Sequence, residues 1–261
     1  MAYTLATHGK INSIELTFIL LASLCLYFGG MVLNDCFDYS EDCLERPVRP
    51  LPAQQINLKT AWLIGFCLLI IGCLSAALVN QQVLVISVIL ALLILLYNSK
   101  LLPPWLGAIT MGLCRYTNWL MALAVMPLTM SITLIPIPIL FYVIALTRLS
   151  QVETNTVSLS RIYEVSGILL ISFVSVLFLA QLTVVSTLFL IILGGYYLTL
   201  ILPLIKAHTP MQIQYTVSQL VFGLIPFDAA ISLVFGYWKL AFIVLLLIPL
   251  SRLIGRKLYI S

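Results

Sequence analysis

Long runs of apolar residues, separated by short polar or proline-containing stretches, follow one another along almost the whole chain. A helix needs roughly 20 apolar residues to cross a hydrocarbon core of about 30 Å, and within lipid only helices or closed barrels satisfy every backbone polar group. The sequence therefore predicts nine membrane-spanning helices, near residues 12–33, 58–79, 82–97, 104–127, 135–149, 162–180, 182–204, 215–236 and 239–255. We expect an all-α, multi-pass transmembrane bundle that forms a single domain over residues 1–261.

The breaks between these runs carry residues that favour turns. Asn80, the Pro103–Pro104 pair and Pro210 each lie where a turn is needed between two spans. The boundary near Gln181 is weaker, so eight spans are the alternative. No small-residue cleavage site follows the first apolar run, and we interpret that run as a membrane anchor rather than a cleavable signal.

The composition supports insertion in a bilayer. Hydrophobic residues make up 62% of the chain and charged residues 8%, whereas a soluble domain carries about 25% charged residues. The basic residues form no stripe that could neutralise several phosphates, so we expect no nucleic-acid partner. The six cysteines lie mainly inside apolar runs without the spacing of a zinc site, and we interpret most of them as small apolar side chains.

The basic residues are distributed unequally between the two sides of the predicted bundle. Lysine and arginine in short loops favour the cytoplasmic side. If the acidic stretch after the first span is cytoplasmic, ten basic residues share its side: Arg46, Arg49, Lys59, Lys100, Arg148, Arg161, Lys206, Arg252, Arg256 and Lys257. Lys10 and Lys239 fall on the other side, and Arg115 lies within a span. This asymmetry predicts that the acidic stretch faces the cytoplasm.

That acidic stretch, "NDCFDYSEDCLERPVRPLP", holds five of the nine carboxylates of the chain within eleven residues. Asp35, Asp38 and Asp42 are spaced i, i+3, i+7, which on a helix brings them to one face. Neighbouring carboxylates repel one another, and Mg²⁺ removes that cost while taking further ligands from substrate phosphates. The spacing predicts a site for a magnesium-bound diphosphate. The alternative is a solvated loop whose acids offset Arg46 and Arg49.

The pattern Asn-Asp-x-x-Asp-x-x-x-Asp, followed by two arginines, resembles the first signature of the UbiA superfamily of intramembrane prenyltransferases. The match is continuous over Asn34, Asp35, Asp38, Asp42, Arg46 and Arg49. The resemblance implies that the aspartates bind Mg²⁺ bridging to a prenyl diphosphate, and that the arginines hold the loop or the phosphates. A bundle of nine helices is the expected fold.

Other segments extend the resemblance along nearly the whole chain. Tyr97 and Lys100 stand where the family carries a Tyr and a Lys after its fourth helix, which implies that both bind substrate. "MGLCRYTN" at 111–118 and "LIPFDAA" at 224–230 look most like the EboC-like branch. The family also has a helix before the one that leads into its first motif. We therefore expect one helix to be missing at the N-terminus and one to be added at the C-terminus.

The second aspartate motif of the family, which holds a second Mg²⁺ after the sixth helix, is degenerate here. The corresponding stretch is "TRLSQVETNT", where Arg148, Gln151 and Asn155 stand at the acidic positions and Glu153 is the one carboxylate. Two outcomes are open. Either Arg148 replaces the second metal as a phosphate clamp beside Glu153, or activity is lost and the fold binds an isoprenoid or another lipid phosphate.

Ionisable residues inside apolar spans face the bundle interior or a cavity. Arg115, Asp228 and Glu164 fall inside or at the edge of such spans. Asn118 lies three residues after Arg115 on the same helix face. We predict that Arg115 pairs with Asp228, either to line the acceptor side of a cavity or to tie the bundle together. Arg115 and Asn118 are accordingly candidate substrate-binding residues.

Aromatic side chains near the acidic stretch could shelter a carbocation by cation–π attraction. The candidates are Tyr39, Tyr97, Tyr116 and Trp119, and ordinary packing is the alternative for each.

Together these features predict a Mg²⁺-dependent prenyltransferase that ionises a prenyl diphosphate and transfers the prenyl group to an unidentified hydrophobic or aromatic acceptor. The alternative is a non-catalytic protein that binds an isoprenoid or lipid phosphate and assists the handling or export of a hydrophobic precursor. A secondary transporter is less well supported, since the two halves show no matching helix breaks.

Overall fold

The computed structural model describes residues 1–152, 158–179, 182–206 and 209–258. All regular structure within these ranges is helical. There are thirteen helices in this part of the chain: α1 (Ala2–Ala6), α2 (Ser13–Phe37), α3 (Tyr39–Glu45), α4 (Leu58–Ala77), α5 (Gln81–Asn98), α6 (Pro104–Leu123), α7 (Met130–Leu134), α8 (Ile137–Ser150), α9 (Leu159–Leu177), α10 (Val184–Lys206), α11 (Pro210–Val234), α12 (Trp238–Leu245) and α13 (Leu247–Leu258). The all-α prediction is confirmed.

Seven helical segments of the described chain are long and apolar enough to cross a membrane. They are α2, α4, α5, the segment Met130–Ser150 that joins α7 and α8, α9, α10 and α11. The helix predicted near 104–127 forms as α6 but is not among the seven, because Arg115, Asn118 and several hydroxyl side chains lower its hydropathy. The last predicted span is divided into α12 and α13. Each of the nine predicted runs therefore corresponds to helical structure, and the chain is a multi-pass membrane protein.

Side-chain caps explain where several helices begin. Asn12, Asn57 and Asn80 each precede a helix, and each accepts a backbone N–H of the first turn with its side-chain oxygen. An asparagine at this position satisfies a donor that the helix itself leaves unpaired. Asn80 also donates from Nδ2 to the carbonyl oxygen of Ala124 at 3.0 Å, which ties the turn before α5 to the end of α6.

The chain divides into two compact units, one of residues 2–132 and the other from residue 133 onward together with Met1. In the first unit α2 packs closely along α4. A Cβ added at Gly65 would lie 2.7 Å from Leu33 Cδ2, and one added at Gly72 would lie 2.8 Å from Leu26 Cγ. Both distances are too short for any larger side chain, so these glycines permit the close approach. This packing fixes the direction of α2, whose C-terminal end carries Asp35 and leads into Asp38 and Asp42.

The second unit is built around α8, α9, α10 and α11. Its buried centre contains two tyrosine hydroxyls beside Gly223: Tyr142 Oη donates to the carbonyl of Leu220 at 2.7 Å, and Tyr197 Oη donates to the carbonyl of Gly223 at 2.7 Å. The two hydroxyls lie 3.0 Å apart. A Cβ on Gly223 would lie 2.7 Å from each of them, so α11 requires glycine at this point.

Candidate functional site

The acidic stretch lies where α2 ends and the short helix α3 begins. Asp38 is both the last cap of α2 and the first cap of α3, and its backbone stays in the right-handed helical region. Its N–H donates to the carbonyl of Asn34 at 2.9 Å, and its own carbonyl accepts the N–H of Asp42 at 2.8 Å. The chain therefore follows a nearly continuous helical path, and the predicted spacing of the aspartates along a helix is present.

Arg49 bridges two of the aspartates. Its Nη1 lies 2.7 Å from Asp42 Oδ2 and 3.8 Å from Asp35 Oδ1. Asp42 is buried, with 6% of its surface exposed, whereas Asp35 is exposed. A buried carboxylate is stable only when a cation or several donors compensate it. Arg49 provides that compensation for Asp42. Its predicted role of holding the loop or the phosphates stays a prediction.

Lys100 bridges the third aspartate and a carboxylate that the sequence analysis did not single out. Its Nζ lies 2.7 Å from Asp38 Oδ1 and 2.6 Å from Glu41 Oε2. The hydrogen bonds to Asp38 and then to Glu41 raise the pKa of Lys100 above its usual value. Asn34 donates from Nδ2 to the other oxygen of Asp38 at 3.2 Å. The only sequence signal for Glu41 was its place in the acidic run, three residues after Asp38.

A cavity of about 360 Å³ lies beside the Arg49 bridge, between the end of α2, the start of α4 and the loop that joins α3 to α4. Sites for small molecules have volumes of about 300–1,000 Å³. Asp35, Asp42 and Arg49 line one part of the cavity. Its other walls are apolar and come from Val32, Pro50, Leu51, Pro52, Ile56, Ala61 and Ile64. The cavity can therefore accept a molecule with a charged head and an apolar body.

The donor set of this site has the chemistry that Mg²⁺ prefers, since carboxylate oxygens are hard ligands. Asp35 and Asp42, which line one cavity, are the residues that would hold the ion. Asp38 is turned toward Lys100 instead. Within the described ranges no three His, Cys, Asp or Glu side chains converge into a metal site. The three aspartates therefore do not form a ready-made metal site in this structure, and the metal-binding role of Asp38 stays a prediction.

The remaining predicted residues of the first unit are more dispersed. Arg46 is exposed at the end of α3, and Tyr97 is half-buried near the end of α5. Asn118 accepts a hydrogen bond from Ser23 Oγ at 2.9 Å, which links α6 to α2. Arg115 is half-buried one turn earlier on α6. The substrate-binding roles predicted for these four residues stay predictions.

A buried asparagine in this unit escaped the sequence analysis. Asn98, at the end of α5, has 4% of its surface exposed and donates from Nδ2 to the carbonyl of Gly30 at 3.0 Å. This bond joins α5 to α2 just before Lys100.

Among the aromatic candidates Trp119 is buried, while Tyr39 and Tyr116 are half-buried. Their role toward a carbocation stays a prediction.

Arg148 lies in the second unit, in the stretch that corresponds to the degenerate second motif. It has 8% of its surface exposed, and its guanidinium makes two bonds to Glu164, Nε to Oε1 at 2.8 Å and Nη2 to Oε2 at 3.2 Å. Nη1 also donates to Gln151 Oε1 at 3.2 Å. Arg161 Nη1 lies 3.0 Å from Glu164 Oε2. Glu164 is thus the partner that the sequence analysis did not assign to Arg148.

Two further predictions concern Glu153 and Asp228. Glu153 lies outside the described residues. Asp228, the predicted partner of Arg115, belongs to the second unit whereas Arg115 belongs to the first. The pairing of Arg115 with Asp228 stays a prediction.

The chain is similar in sequence to a known family of proteins. The model of the UbiA prenyltransferase family matches residues 1–220. The digeranylgeranylglyceryl phosphate synthase of Methanothrix thermoacetophila is 35% identical over 80 residues, which is 31% of this chain and 30% of that protein. The enzyme of the same name from Sulfurisphaera tokodaii is 31% identical over 100 residues, 38% of this chain and 36% of that protein. The matched segments thus span about a third of each relative.

Two solved structures share the fold over a greater length. One, described as giving structural and mechanistic insights into the biosynthesis of digeranylgeranylglyceryl phosphate synthase in membranes, superposes with a TM-score of 0.71 at 19% identity over 91% of each chain. The other, the apo structure of a UbiA homolog from Aeropyrum pernix K1, superposes with a TM-score of 0.57 at 17% identity over 100% of this chain and 95% of that one. At these identities the similarity establishes the fold.

Proposed function

Because the chain belongs to the UbiA prenyltransferase family, we propose that it is an intramembrane prenyltransferase that uses a prenyl diphosphate and Mg²⁺. The observation that carries this proposal is the cavity at the end of α2, which combines Asp35, Asp42 and Arg49 with an apolar wall. A prenyl diphosphate has the matching distribution of properties. Its chain gains about 0.8 kcal/mol for each CH₂ removed from water, whereas its head needs cations.

Each group of the site has a role in this reaction. The apolar residues Leu51, Ile56 and Ile64 would hold the first part of the prenyl chain and exclude water from it. Arg49 and Lys100 are the cations that can bind phosphate oxygens as the bond between the prenyl carbon and the diphosphate oxygen breaks. A magnesium ion held by Asp35 and Asp42 would add positive charge against the same leaving group. The prenyl carbon then bonds to the acceptor, which loses a proton.

The acceptor is proposed from the relatives. Their name, digeranylgeranylglyceryl phosphate synthase, describes a product with two geranylgeranyl groups on a glyceryl phosphate. We propose a geranylgeranyl diphosphate donor and a glyceryl phosphate lipid as acceptor for this chain, where the sequence analysis predicted an unidentified hydrophobic or aromatic acceptor. The assignment to the EboC-like branch stays a prediction, as does the cytoplasmic position of the acidic stretch.

The proposal is tested with the full chain purified into lipid nanodiscs. We would incubate it with radiolabelled geranylgeranyl diphosphate, Mg²⁺ and geranylgeranylglyceryl phosphate, and measure prenylated lipid together with released pyrophosphate. We expect turnover that falls at least about 100-fold in Asp42→Asn, because loss of preorganised charge stabilisation typically costs that much. Glu45→Gln is the matched control, since Glu45 is an exposed acid of the same helix α3. Equal traces of product from wild type and Asp42→Asn would refute the proposal.

A second function, binding of an isoprenoid or lipid phosphate without catalysis, is favoured by one observation. Arg148 occupies the place of the second motif, and its guanidinium already bonds to Glu164 and Gln151. If no second metal binds there, ionisation of the donor loses one source of charge stabilisation. This alternative predicts saturable binding of the labelled donor with no release of pyrophosphate under the same conditions.

A further inference from the structure

Two cations of the candidate site each hold two carboxylates. Arg49, which lines the cavity, contacts Asp42 and Asp35. Lys100 contacts Asp38 and Glu41, which lie between Asp35 and Asp42 along the same helical stretch. Four carboxylates and two bases leave this group of side chains with a net charge of −2. That is the charge that one divalent cation would neutralise. The site therefore contains internal counterions, yet they compensate only half of its negative charge.

The position of Lys100 is unusual for a lysine. It follows the last turn of α5 with φ of +53°, in the left-handed region. Glycine is the common residue at such a helix end, because left-handed backbone is unfavourable for residues with a Cβ. A lysine at this position contacts Asp38 and Glu41, whereas a glycine has no side chain to do so. A lysine therefore stands at this point although the backbone conformation favours glycine.

The same carboxylate oxygens would serve two partners, because Asp42 would hold the ion and the sequence pattern predicts the same role for Asp38. Lys100 Nζ lies 2.7 Å from Asp38 and Arg49 Nη1 lies 2.7 Å from Asp42. A magnesium ion approaches a carboxylate oxygen to about 2.1 Å, and a second cation at hydrogen-bond distance from that oxygen would repel it. The metal and these two side chains therefore compete unless the side chains find another anion. A diphosphate beside the metal is such an anion, and Arg and Lys both bind phosphate oxygens.

We propose that Arg49 and Lys100 are exchangeable counterions, which hold the carboxylates before the ligand arrives and move to the diphosphate when a divalent cation binds. This inference rests on the proposed function, because it takes a diphosphate as the ligand. Its consequence is positive coupling: the metal binds weakly by itself and tightly in the presence of a diphosphate. Removal of either cation therefore strengthens binding of the free metal and weakens binding of the diphosphate.

The experiment measures the two affinities separately on the full chain in nanodiscs. Binding of Mn²⁺ alone is followed by the electron paramagnetic resonance signal of the free ion. Binding of a labelled, non-reactive prenyl thiolodiphosphate is measured at saturating Mg²⁺. For Lys100→Met we expect Mn²⁺ alone to bind about tenfold more tightly and the thiolodiphosphate about tenfold more weakly, within the range of about 5–150-fold found for coupled sites. Arg49→Gln should shift both affinities in the same directions.

Two further variants make the result decisive. Lys100→Gly removes the cation while it suits the left-handed backbone, so it reports the same shifts in a protein that keeps its fold. Lys59→Met removes an exposed cation at the start of α4 and should change neither affinity. Opposite shifts in the Lys100 variants support the exchange even if wild type shows no turnover, in which case only the catalytic proposal fails. Mn²⁺ affinity that is unchanged or lower in both Lys100 variants, or no Mn²⁺ binding by any form, would overturn the exchange.

Discussion

The pair formed by Arg148 and Glu164 should respond asymmetrically to mutation. Arg148 has a side chain that is 10% exposed, whereas the side chain of Glu164 is 40% exposed and also contacts Arg161. Loss of the carboxylate would leave the buried guanidinium without its anion. Loss of the guanidinium would leave a partly hydrated carboxylate that retains a second cation. The energetic cost should therefore fall mainly on the Glu164 variant.

The contacts give the size of each effect. A hydrogen bond to a charged group contributes about 1.5–3 kcal/mol, and removal of one partner of a fully buried ion pair costs about 3–5 kcal/mol. Glu164→Gln keeps one acceptor oxygen and the site is partly hydrated, so we expect a loss of about 2–3 kcal/mol. Arg148→Met fills the same volume with an apolar side chain and should cost about 1 kcal/mol, close to the value of an exposed pair.

Both variants and the double variant are compared with wild type by reversible unfolding in mixed micelles, with far-ultraviolet circular dichroism as the signal. The double variant should lose less than the sum of the two single losses, by about 1–2 kcal/mol, because residues in contact do not behave additively. Arg161→Met is the control for loss of the exposed partner alone. A larger loss in Arg148→Met than in Glu164→Gln would refute the assignment of Glu164 as the compensating anion of a buried arginine.

Three further predictions follow from contacts in the two units. Gly223→Ala places a Cβ 2.7 Å from two tyrosine hydroxyls and should lower the free energy of unfolding by about 1–3 kcal/mol. Its control is Gly194→Ala, where a Cβ meets no atom within 4 Å. The control should not destabilise the protein in the same unfolding assay. Gly65→Ala should destabilise the protein, because the added Cβ would lie too close to Leu33. Gly107→Ala is its control, since a Cβ at Gly107 meets no atom within 4 Å. Equal midpoints of thermal unfolding for the two variants would contradict the close packing of α2 on α4. The carboxylates of Asp38 and Glu41 raise the pKa of Lys100 in the folded protein. The contribution of Lys100 to stability is therefore complete below the usual lysine pKa of about 10.4. It is lost as the pH rises through the higher pKa that Lys100 has in the folded protein. The difference in thermal stability between wild type and Lys100→Met should therefore stay constant from about pH 7 to 9 and decrease above about pH 10.4; a decrease below pH 9 would show that another group controls it.

The helices were predictable from the sequence because lipid imposes a simple requirement. A run of apolar residues of membrane-crossing length has few alternatives to a helix, and asparagines and prolines mark the turns between the runs. The importance of the aspartates at the end of α2 was also predictable from the sequence. Carboxylates beside a membrane span are costly, so we expect them to have partners. Their spacing predicted that they follow one another along a helix, with Arg46 and Arg49 as the bases that offset them. The contact of Asp38 with Lys100 could not be predicted from spacing.

The partners of the acids depend on contacts that distance along the chain hides. Lys100 is 59 residues from Glu41, and its direction depends on a left-handed backbone that residue type does not predict for a lysine. The pairing of Arg148 with Glu164 likewise requires that α8 and α9 pack with these two residues side by side. Glu164 was identified only as an ionisable residue within an apolar run. Sequence spacing could therefore propose a metal or phosphate site with Arg49 near its acids, but not the contacts of Lys100 with Asp38 or of Arg148 with Glu164.

The charge balance of the site explains why acids and bases are interleaved around residues 35–49 and 100. A cluster of four carboxylates without bases would raise the cost of each ionised group, and it would repel an incoming diphosphate. A fully neutral cluster would stabilise the free protein but offer no net attraction to a divalent cation. In the proposed exchange, two bases for four acids would meet both demands, because the residual charge would attract the metal and the released bases would then attract the phosphates. The geometry that holds Arg49 and Lys100 between the carboxylates is thus consistent with a site for a metal and a polyanion that bind together.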